Sequence, residues 1–84
     1  MSVRDNPEKQ RYEMDVEGSL AIADYRVKPG ERIITHVEVP VALRGKGLAE
    51  QLMAGVVADI KAKNLTLVPV CPYAVTYLKR HPIT

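Results

Sequence analysis

The sequence has no tryptophan or phenylalanine, and its only cysteine is Cys71. A single cysteine excludes an internal disulfide framework and a four-cysteine zinc site. It is also typical of a reducing compartment, so we expect a cytoplasmic protein with no metal site. The few aromatic rings leave little stacking surface for single-stranded nucleic acid. No apolar run is long enough for a signal peptide or a membrane span, so we expect no membrane partner.

A strong excess of charge of one sign is also missing. Twelve Lys and Arg residues against ten Asp and Glu residues give a net charge of +2, which is too weak by itself to indicate nucleic-acid binding. The distribution is uneven, because residues 1–42 carry six basic and eight acidic side chains whereas residues 43–84 carry six basic and two acidic ones. An anionic ligand should therefore prefer the second half of the chain.

The 84 residues, 46% of them hydrophobic, fit one globular domain that covers residues 1–84. A chain of this length buries only about 60% of the surface that it exposes when unfolded, so the core must be thin. One sheet covered by one or two helices would suffice. The polar residues 1–8 show no apolar periodicity, and we expect them to be loose.

Alternation of apolar and polar side chains predicts three strands in the first half of the chain. Residues 10–16 and 19–27 alternate with period two, and residues 32–39 are rich in β-branched side chains. Turn signals at residues 17–18 and 28–31 separate these segments. We therefore expect an antiparallel meander.

The spacing of the apolar residues changes in the second half of the chain. Residues 46–63 carry apolar side chains at helical spacing, which predicts a long amphipathic helix, and residues 65–70 follow as a short apolar strand. A crossover helix makes this last strand parallel to the third if the two pair directly. A short helix over residues 73–80, with Pro72 at its first position, ends the pattern. The sequence thus predicts an α/β fold with a mainly antiparallel sheet of about four strands, one long helix and a short C-terminal helix.

The segment before the long helix has the composition of a phosphate-binding loop. Gly45 and Gly47 allow close approach of a ligand to the backbone, and they lie where unpaired N–H groups and the positive end of the helix dipole converge. Arg44 and Lys46 add positive charge. The segment is neither a Walker loop nor a full dinucleotide fingerprint. An ordinary flexible turn is the alternative that glycine content alone favours.

The loop Arg44-Gly45-Lys46-Gly47-Leu48-Ala49 resembles the Arg/Gln-x-x-Gly-x-Gly/Ala signature of the GNAT superfamily of N-acetyltransferases, in the same order of strand, loop and helix. Three further segments, His-Val-Glu-Val-Pro at 36–40, Pro-Val-Cys-Pro-Tyr at 69–73 and Arg-His-Pro at 80–82, are similar to the very small single-domain GNAT-like acetyltransferases. The resemblance spans residues 12–82. It implies a minimal GNAT fold and acetyl-CoA-dependent transfer of acetyl to an unidentified amine.

The resemblance also implies where acetyl-CoA, or coenzyme A, would bind. In this superfamily the loop amides hold the pyrophosphate of the cofactor, and the preceding strand pairs with the pantetheine arm through its main chain. Val37 stands where the family often has Thr, which matters little if only the backbone is used. The implied cofactor-binding residues are Val37, Val39, Arg44, Gly45, Lys46, Gly47, Leu48 and Ala49.

Three residues are candidates for proton transfer or for nucleophilic chemistry. Cys71 lies at the expected N-terminus of the last helix, where the dipole favours a thiolate, although a small buried apolar residue is the alternative interpretation. The resemblance implies that it lies near the cofactor sulfur, where it could relay a proton or accept acetyl. His36 and Glu38 share one strand face and are candidate bases. A hydrogen-bonded sheet histidine and a solvated carboxylate are their alternatives.

Tyr73 and Tyr77 lie one turn apart on the predicted last helix. The resemblance implies a tyrosine there that protonates the departing thiolate, but Tyr77 falls one position early in the family register. The alternative is that both rings cover the sheet. The rival function is a non-catalytic module that binds coenzyme A or a phosphate-bearing partner such as nucleic acid. For the enzyme we expect a small or macromolecular amine acceptor, no nucleic-acid partner, and a monomer or weak dimer.

The shortness of the chain also bears on the acceptor. Larger GNAT enzymes usually carry helices between their first and second strands, and these helices wall the acceptor site. If residues 10–16 form the first strand, only Glu17 and Gly18 stand at that place in this chain. The resemblance therefore implies an open acceptor side.

Overall fold

The computed structural model describes residues 2–82, which form one mixed sheet and two helices. A 3₁₀ turn at Val41–Leu43 connects the fourth strand to the first helix. In chain order the elements are β1 (Val3–Asn6), β2 (Arg11–Val16), β3 (Ser19–Lys28), β4 (Glu31–Glu38), α1 (Leu48–Ala62), β5 (Thr66–Pro69) and α2 (Pro72–Arg80).

The sheet has the order β1-β2-β3-β4-β5. The pairs β1–β2, β2–β3 and β3–β4 are antiparallel, and β5 is parallel to β4 because α1 carries the chain back across the sheet. The α/β class, the parallel last pairing and the two helices confirm the prediction. The strand count does not, because the described chain has five strands and not about four.

The additional strand is β1, which lies in the segment that we expected to be loose. Val3 packs against α1 where Gly55 leaves room, because a methyl group on Gly55 would overlap the Val3 side chain. Asp5 accepts hydrogen bonds from the Tyr25 hydroxyl at 2.6 Å and from the Lys63 ammonium at 2.9 Å. These contacts come from distant parts of the chain, so the expectation of a loose start is wrong for residues 3–6.

The core lies between one face of the sheet and α1. The alternation predicted for β2 and β3 is confirmed along most of both strands, because every second side chain from Tyr12 to Val16 and from Ala21 to Tyr25 is buried beneath the helix. Val27, on the same predicted face at the end of β3, is instead 57% exposed. The helix contributes the stripe predicted from its spacing. The main core residues are Tyr12, Met14, Ala21, Ala23, Tyr25 and Ile34 from the sheet, and Leu48, Leu52, Met53, Val56 and Ile60 from α1.

A polar network anchors the C-terminal end of α1 to the sheet. The Arg32 guanidinium lies 4.4 Å from the centre of the Tyr25 ring and donates to the Tyr12 hydroxyl at 2.8 Å. The same guanidinium lies 3.2 Å from the Asp5 carboxylate, and the Tyr12 hydroxyl donates to Asp59 of α1 at 2.7 Å. Burial, together with the hydrogen bond to Asp5, raises the pKa of Tyr25 to about 12.

The connections between the first three strands contain no helix. Residues 7–10 join β1 to β2, and residues 17–18 join β2 to β3. The connection between the first and second strands is therefore 7–10 and not the Glu17-Gly18 turn that we assigned to this place, because β1 precedes the strand that we counted first. Both helices of the described chain follow β4, and α1 packs across all five strands of the sheet.

Candidate active site

The strands β4 and β5 separate at Ile34. Their parallel pairing extends from Glu31 to Ile34 on β4, and the N–H groups of Val70 and Cys71 both donate to the Ile34 carbonyl, at 3.0 and 3.1 Å. Beyond that point β4 continues to Glu38 with β3 as its only partner strand among residues 2–82. The second main-chain edge of β4 is therefore open at this end of the sheet, where an extended ligand can pair with it.

A β-bulge sets the direction of the side chains in this open part of β4. Tyr25 pairs with Ile34 and Asp24 pairs with His36, so Thr35 is an extra residue on β4. Because one inserted residue reverses the alternation, Val37 joins the buried side of the sheet and His36 turns to the opposite face. Glu38 lies on that same face, and its Oε1 is 3.2 Å from His36 Nε2. The predicted shared face of His36 and Glu38 is thus confirmed.

The glycine loop ends in the N-terminus of α1. Gly45 and Gly47 have φ angles of +82° and +73°, which favour glycine, and a Cβ atom on either residue would meet nothing within 4 Å. The N–H groups of the first helical turn lack intrahelical acceptors, and the residues of that turn line the open space beside the loop. Arg44 stiffens the loop, because its Nε donates to the Val39 carbonyl at 3.2 Å. The loop therefore presents backbone donors and one guanidinium to an open volume that suits an anion.

Two adjoining cavities connect this loop to the His36–Glu38 pair. The inner cavity, of about 230 Å³, lies over the loop, and the outer cavity, of about 280 Å³, lies against the open part of β4. They share Val39, Arg44, Ala49 and Tyr73, and we call the two together the cleft. The cleft thus brings an anion-binding loop, an open strand edge and two candidate bases into one depression.

Most of the predicted cofactor-binding residues line the cleft. Val37 lines the outer cavity, Lys46 lines neither cavity, and the other six line the inner one: Val39, Arg44, Gly45, Gly47, Leu48 and Ala49. Leu43 and Glu50 also line the inner cavity and were not among the predicted residues. Their positions beside the glycine loop are the only sequence signal that pointed to them.

The three remaining candidates lie at different places around α2. Cys71 is the residue before the first turn of α2, is 8% exposed and is not among the residues that line the cleft. Tyr73 lines both cavities, whereas Tyr77 lines a separate groove and its ring centre is 4.5 Å from that of His81. Burial raises the pKa of both tyrosines, and the Glu50 charge raises both further. Of these three residues, the structure brings Tyr73 into the cleft.

The cleft combines an open strand edge with a glycine loop at a helix N-terminus. This combination is suited to an extended, phosphate-bearing ligand. Comparison with protein families agrees with this class, because a model described as GCN5-related N-acetyl-transferase matches residues 11–84. The chain belongs to the GCN5-related N-acetyltransferase family, and this membership supports acyltransferase activity in general. The comparison with curated proteins found no match. Neither helix among residues 2–82 is both long and apolar enough to cross a membrane.

Proposed function

We propose that this chain transfers an acetyl group from acetyl-CoA to an amine acceptor. The observation that carries the proposal is the cleft, which joins an anion-binding loop to a histidine–glutamate pair along an unpaired strand edge. Acyl transfer from a thioester needs these parts together, because the donor must be held at its phosphates and along its arm while the amine loses a proton.

The residues of the cleft fit coenzyme A. The empty space over Gly45 and Gly47 accommodates a diphosphate against the first-turn N–H groups of α1, with Arg44 beside it. The open edge of β4 offers main-chain groups to the amides of a pantetheine arm, as in strand addition. When bound, acetyl-CoA supplies an acetyl group activated as a thioester. A backbone N–H near Val39 would stabilise negative charge that develops on the acetyl oxygen.

His36 and Glu38 would remove the proton from the attacking ammonium. Their side chains are 55% and 59% exposed, so an amine can reach them from solvent. The contact of 3.2 Å between Nε2 and Oε1 lets the carboxylate orient the imidazole and stabilise the charge that it gains. The base is therefore accessible to the acceptor without movement of the sheet.

Tyr73 is the proton donor that the geometry favours for the departing thiolate. It lines both cavities, and its phenol is protonated at neutral pH, because burial raises its pKa further above the ordinary value of 10. Cys71 is the alternative, either as the acid or as a transient acceptor of acetyl before the amine attacks. Its low exposure weighs against direct access to the thioester.

Calorimetric titration with acetyl-CoA, followed by an assay of thiol release with a panel of amines, tests the proposal. We expect saturable binding, thermal stabilisation by the cofactor and amine-dependent release of coenzyme A. Binding without turnover with any amine would support the non-catalytic module instead. Absence of thermal stabilisation at millimolar acetyl-CoA would falsify the cofactor assignment.

A further inference from the structure

One carboxylate of the cleft has no part in the proposed chemistry. Glu50 lies in the first turn of α1, three residues after Gly47, and lines the inner cavity together with Tyr73. The same residue lines the groove between α1 and α2, of about 490 Å³, together with Tyr77 and His81. Glu50 therefore stands between two depressions, each of which contains one tyrosine of α2.

The charge of Glu50 opposes the anion that the loop is built to hold. A glutamate in the first turn of a helix is stabilised by the helix dipole when no ligand is present. Once a diphosphate occupies the same helix N-terminus, the two negative charges repel each other. None of the salt bridges among residues 2–82 includes the Glu50 carboxylate. Its charge therefore acts on whatever fills the inner cavity.

We propose that Glu50 limits the affinity of the cleft for coenzyme A: its carboxylate, at the wall of the inner cavity, repels the diphosphate and so speeds the release of coenzyme A. This inference rests on the proposed function. In the transfer step the amine nitrogen forms a bond to the acetyl carbon as the carbon–sulfur bond breaks. The His36–Glu38 pair takes the proton of the amine, and Tyr73 gives its proton to the thiolate. Glu50 touches none of the reacting atoms and acts by its charge, which the Tyr73 hydroxyl in the same cavity reports.

The charged groups around Tyr73 fix the sign of the effect. Burial is the main cause of its raised pKa, the Glu50 charge adds to it, Tyr77 adds further, and Arg80 of α2 opposes the shift. Arg44 faces Tyr73 from the loop, and His36 and Glu38 face it from β4 across the outer cavity. Removal of the Glu50 charge should therefore let the phenolate form at lower pH, so that the proton donor is lost earlier as pH rises.

Tyrosine absorbance provides a test that does not depend on turnover. The sequence has no tryptophan, so an ultraviolet pH titration reports its four tyrosines directly, and Tyr73→Phe identifies the contribution of Tyr73. We expect Glu50→Gln to move the Tyr73 midpoint to lower pH. Glu8→Gln, which removes the same charge from the turn after β1, should leave that midpoint in place. An unchanged midpoint in Glu50→Gln would overturn the proposal.

Coenzyme A affinity and the pH profile of turnover complete the experiment. By Coulomb repulsion at a solvated site, we expect Glu50→Gln to bind coenzyme A about threefold more tightly, with the alkaline limb of kcat shifted to lower pH and Glu8→Gln unchanged. Equal or weaker affinity in Glu50→Gln, with a wild-type chain that binds normally, would contradict the role of Glu50 alone. Failure of the wild-type chain to bind coenzyme A would instead contradict the proposed function.

Discussion

Individual side chains in this protein owe their chemistry to the elements that hold them. His36 and Glu38 share a face because they lie two residues apart on β4, and the bulge at Thr35 turns that face away from the core. Tyr73 reaches the cleft because α2 starts directly after β5. Tyr77, one turn further along, lies in the groove between α1 and α2. The two tyrosines of α2 thus have different surroundings, and substitutions can separate their roles.

Replacement of Tyr73 by phenylalanine removes the proposed proton donor and keeps the ring. We expect kcat to fall about 10²-fold, the lower end of the usual effect of a general acid, with coenzyme A affinity nearly unchanged. Steady-state kinetics and calorimetry measure the two quantities. Tyr77→Phe is the matched control and should retain kcat within about twofold. A larger loss in Tyr77→Phe than in Tyr73→Phe would contradict the assignment.

Cys71→Ser tests the competing role of the cysteine. Because Cys71 is buried and does not line the cleft, we expect the variant to keep most of its activity. Mass spectrometry of the wild-type chain mixed with acetyl-CoA should detect no acetylated Cys71. Accumulation of acetyl-Cys71 at a rate that matches turnover would replace direct transfer by a two-step route.

Asp5→Asn removes the carboxylate that connects β1 to Tyr25, Arg32 and Lys63. Burial opposes ionisation of Asp5, but the hydrogen bonds from Tyr25 and Lys63 and the nearby positive charges outweigh it, so its pKa lies below the ordinary 3.8. The stabilisation is therefore present above about pH 4 and is lost as pH falls through the lowered pKa. We expect the variant to lose about 1–3 kcal/mol near neutral pH.

Urea unfolding near pH 6 and near pH 3 measures this effect. The difference in unfolding free energy between the wild-type chain and Asp5→Asn should shrink at the lower pH. The control is Asp15→Asn, since Asp15 pairs with Arg4 while 70% of its side chain is exposed and should contribute little. A difference for Asp5→Asn that is independent of pH would show that its charge is not responsible.

At the level of elements, local patterns predict most of the fold, and distant contacts decide the rest. Strands β2 to β5 and both helices follow from alternation, helical spacing and turn residues. In contrast, β1 has one apolar residue in four. Its place in the sheet is supported by contacts with Gly55, Tyr25 and Lys63, which lie far away in the sequence. Sequence periodicity cannot report contacts of that range, so β1 was not predicted.

The candidate site likewise contains some features that local sequence predicts and others that depend on distant contacts. The glycines and basic residues of the loop are local features that fit an anion site, but glycine content alone favours an ordinary turn, and the resemblance to the GNAT signature decided the prediction. The bulge at Thr35 leaves no such signal, and the position of Glu50 in the cleft depends on the packing of α2 against α1. A glutamate in the first turn of a helix is also common for dipole reasons alone, so its sequence position did not distinguish it.

The loop between β4 and α1 provides a prediction with a closely matched control. Gly47 and Gly30 both have a φ of +73°, and a Cβ atom on either would meet nothing within 4 Å. Valine at either position therefore carries a similar backbone cost, of about 1–2 kcal/mol. We expect Gly47→Val to weaken coenzyme A binding at least tenfold in calorimetry, because its side chain fills the ligand space, and Gly30→Val to bind normally. Equal affinities would place the diphosphate elsewhere.

At the level of the whole molecule, stability depends on a strand at the far edge of the sheet. A variant that starts at Pro7 lacks β1, leaves Gly55 and Lys63 without their β1 contacts and exposes part of the core. We expect a loss of at least about 2 kcal/mol, equivalent to a decrease of roughly 10 °C in Tm for a domain of this size. Thermal unfolding followed by circular dichroism measures it. An unchanged Tm would show that β1 adds nothing to folding.

The two ends of α1 have different roles, one at the cleft and the other in the stability of the fold. With 15 residues the helix is about 22 Å long, its first turn borders the cleft, and its last turns are held by Asp59 and Lys63 in the network around Arg32. Amide exchange should therefore be slowest at the C-terminal end and fastest beside the glycines. Selection or engineering can raise the thermal tolerance at one end without a direct cost to turnover at the other, so the usual trade-off between robustness and activity should be weak in this chain.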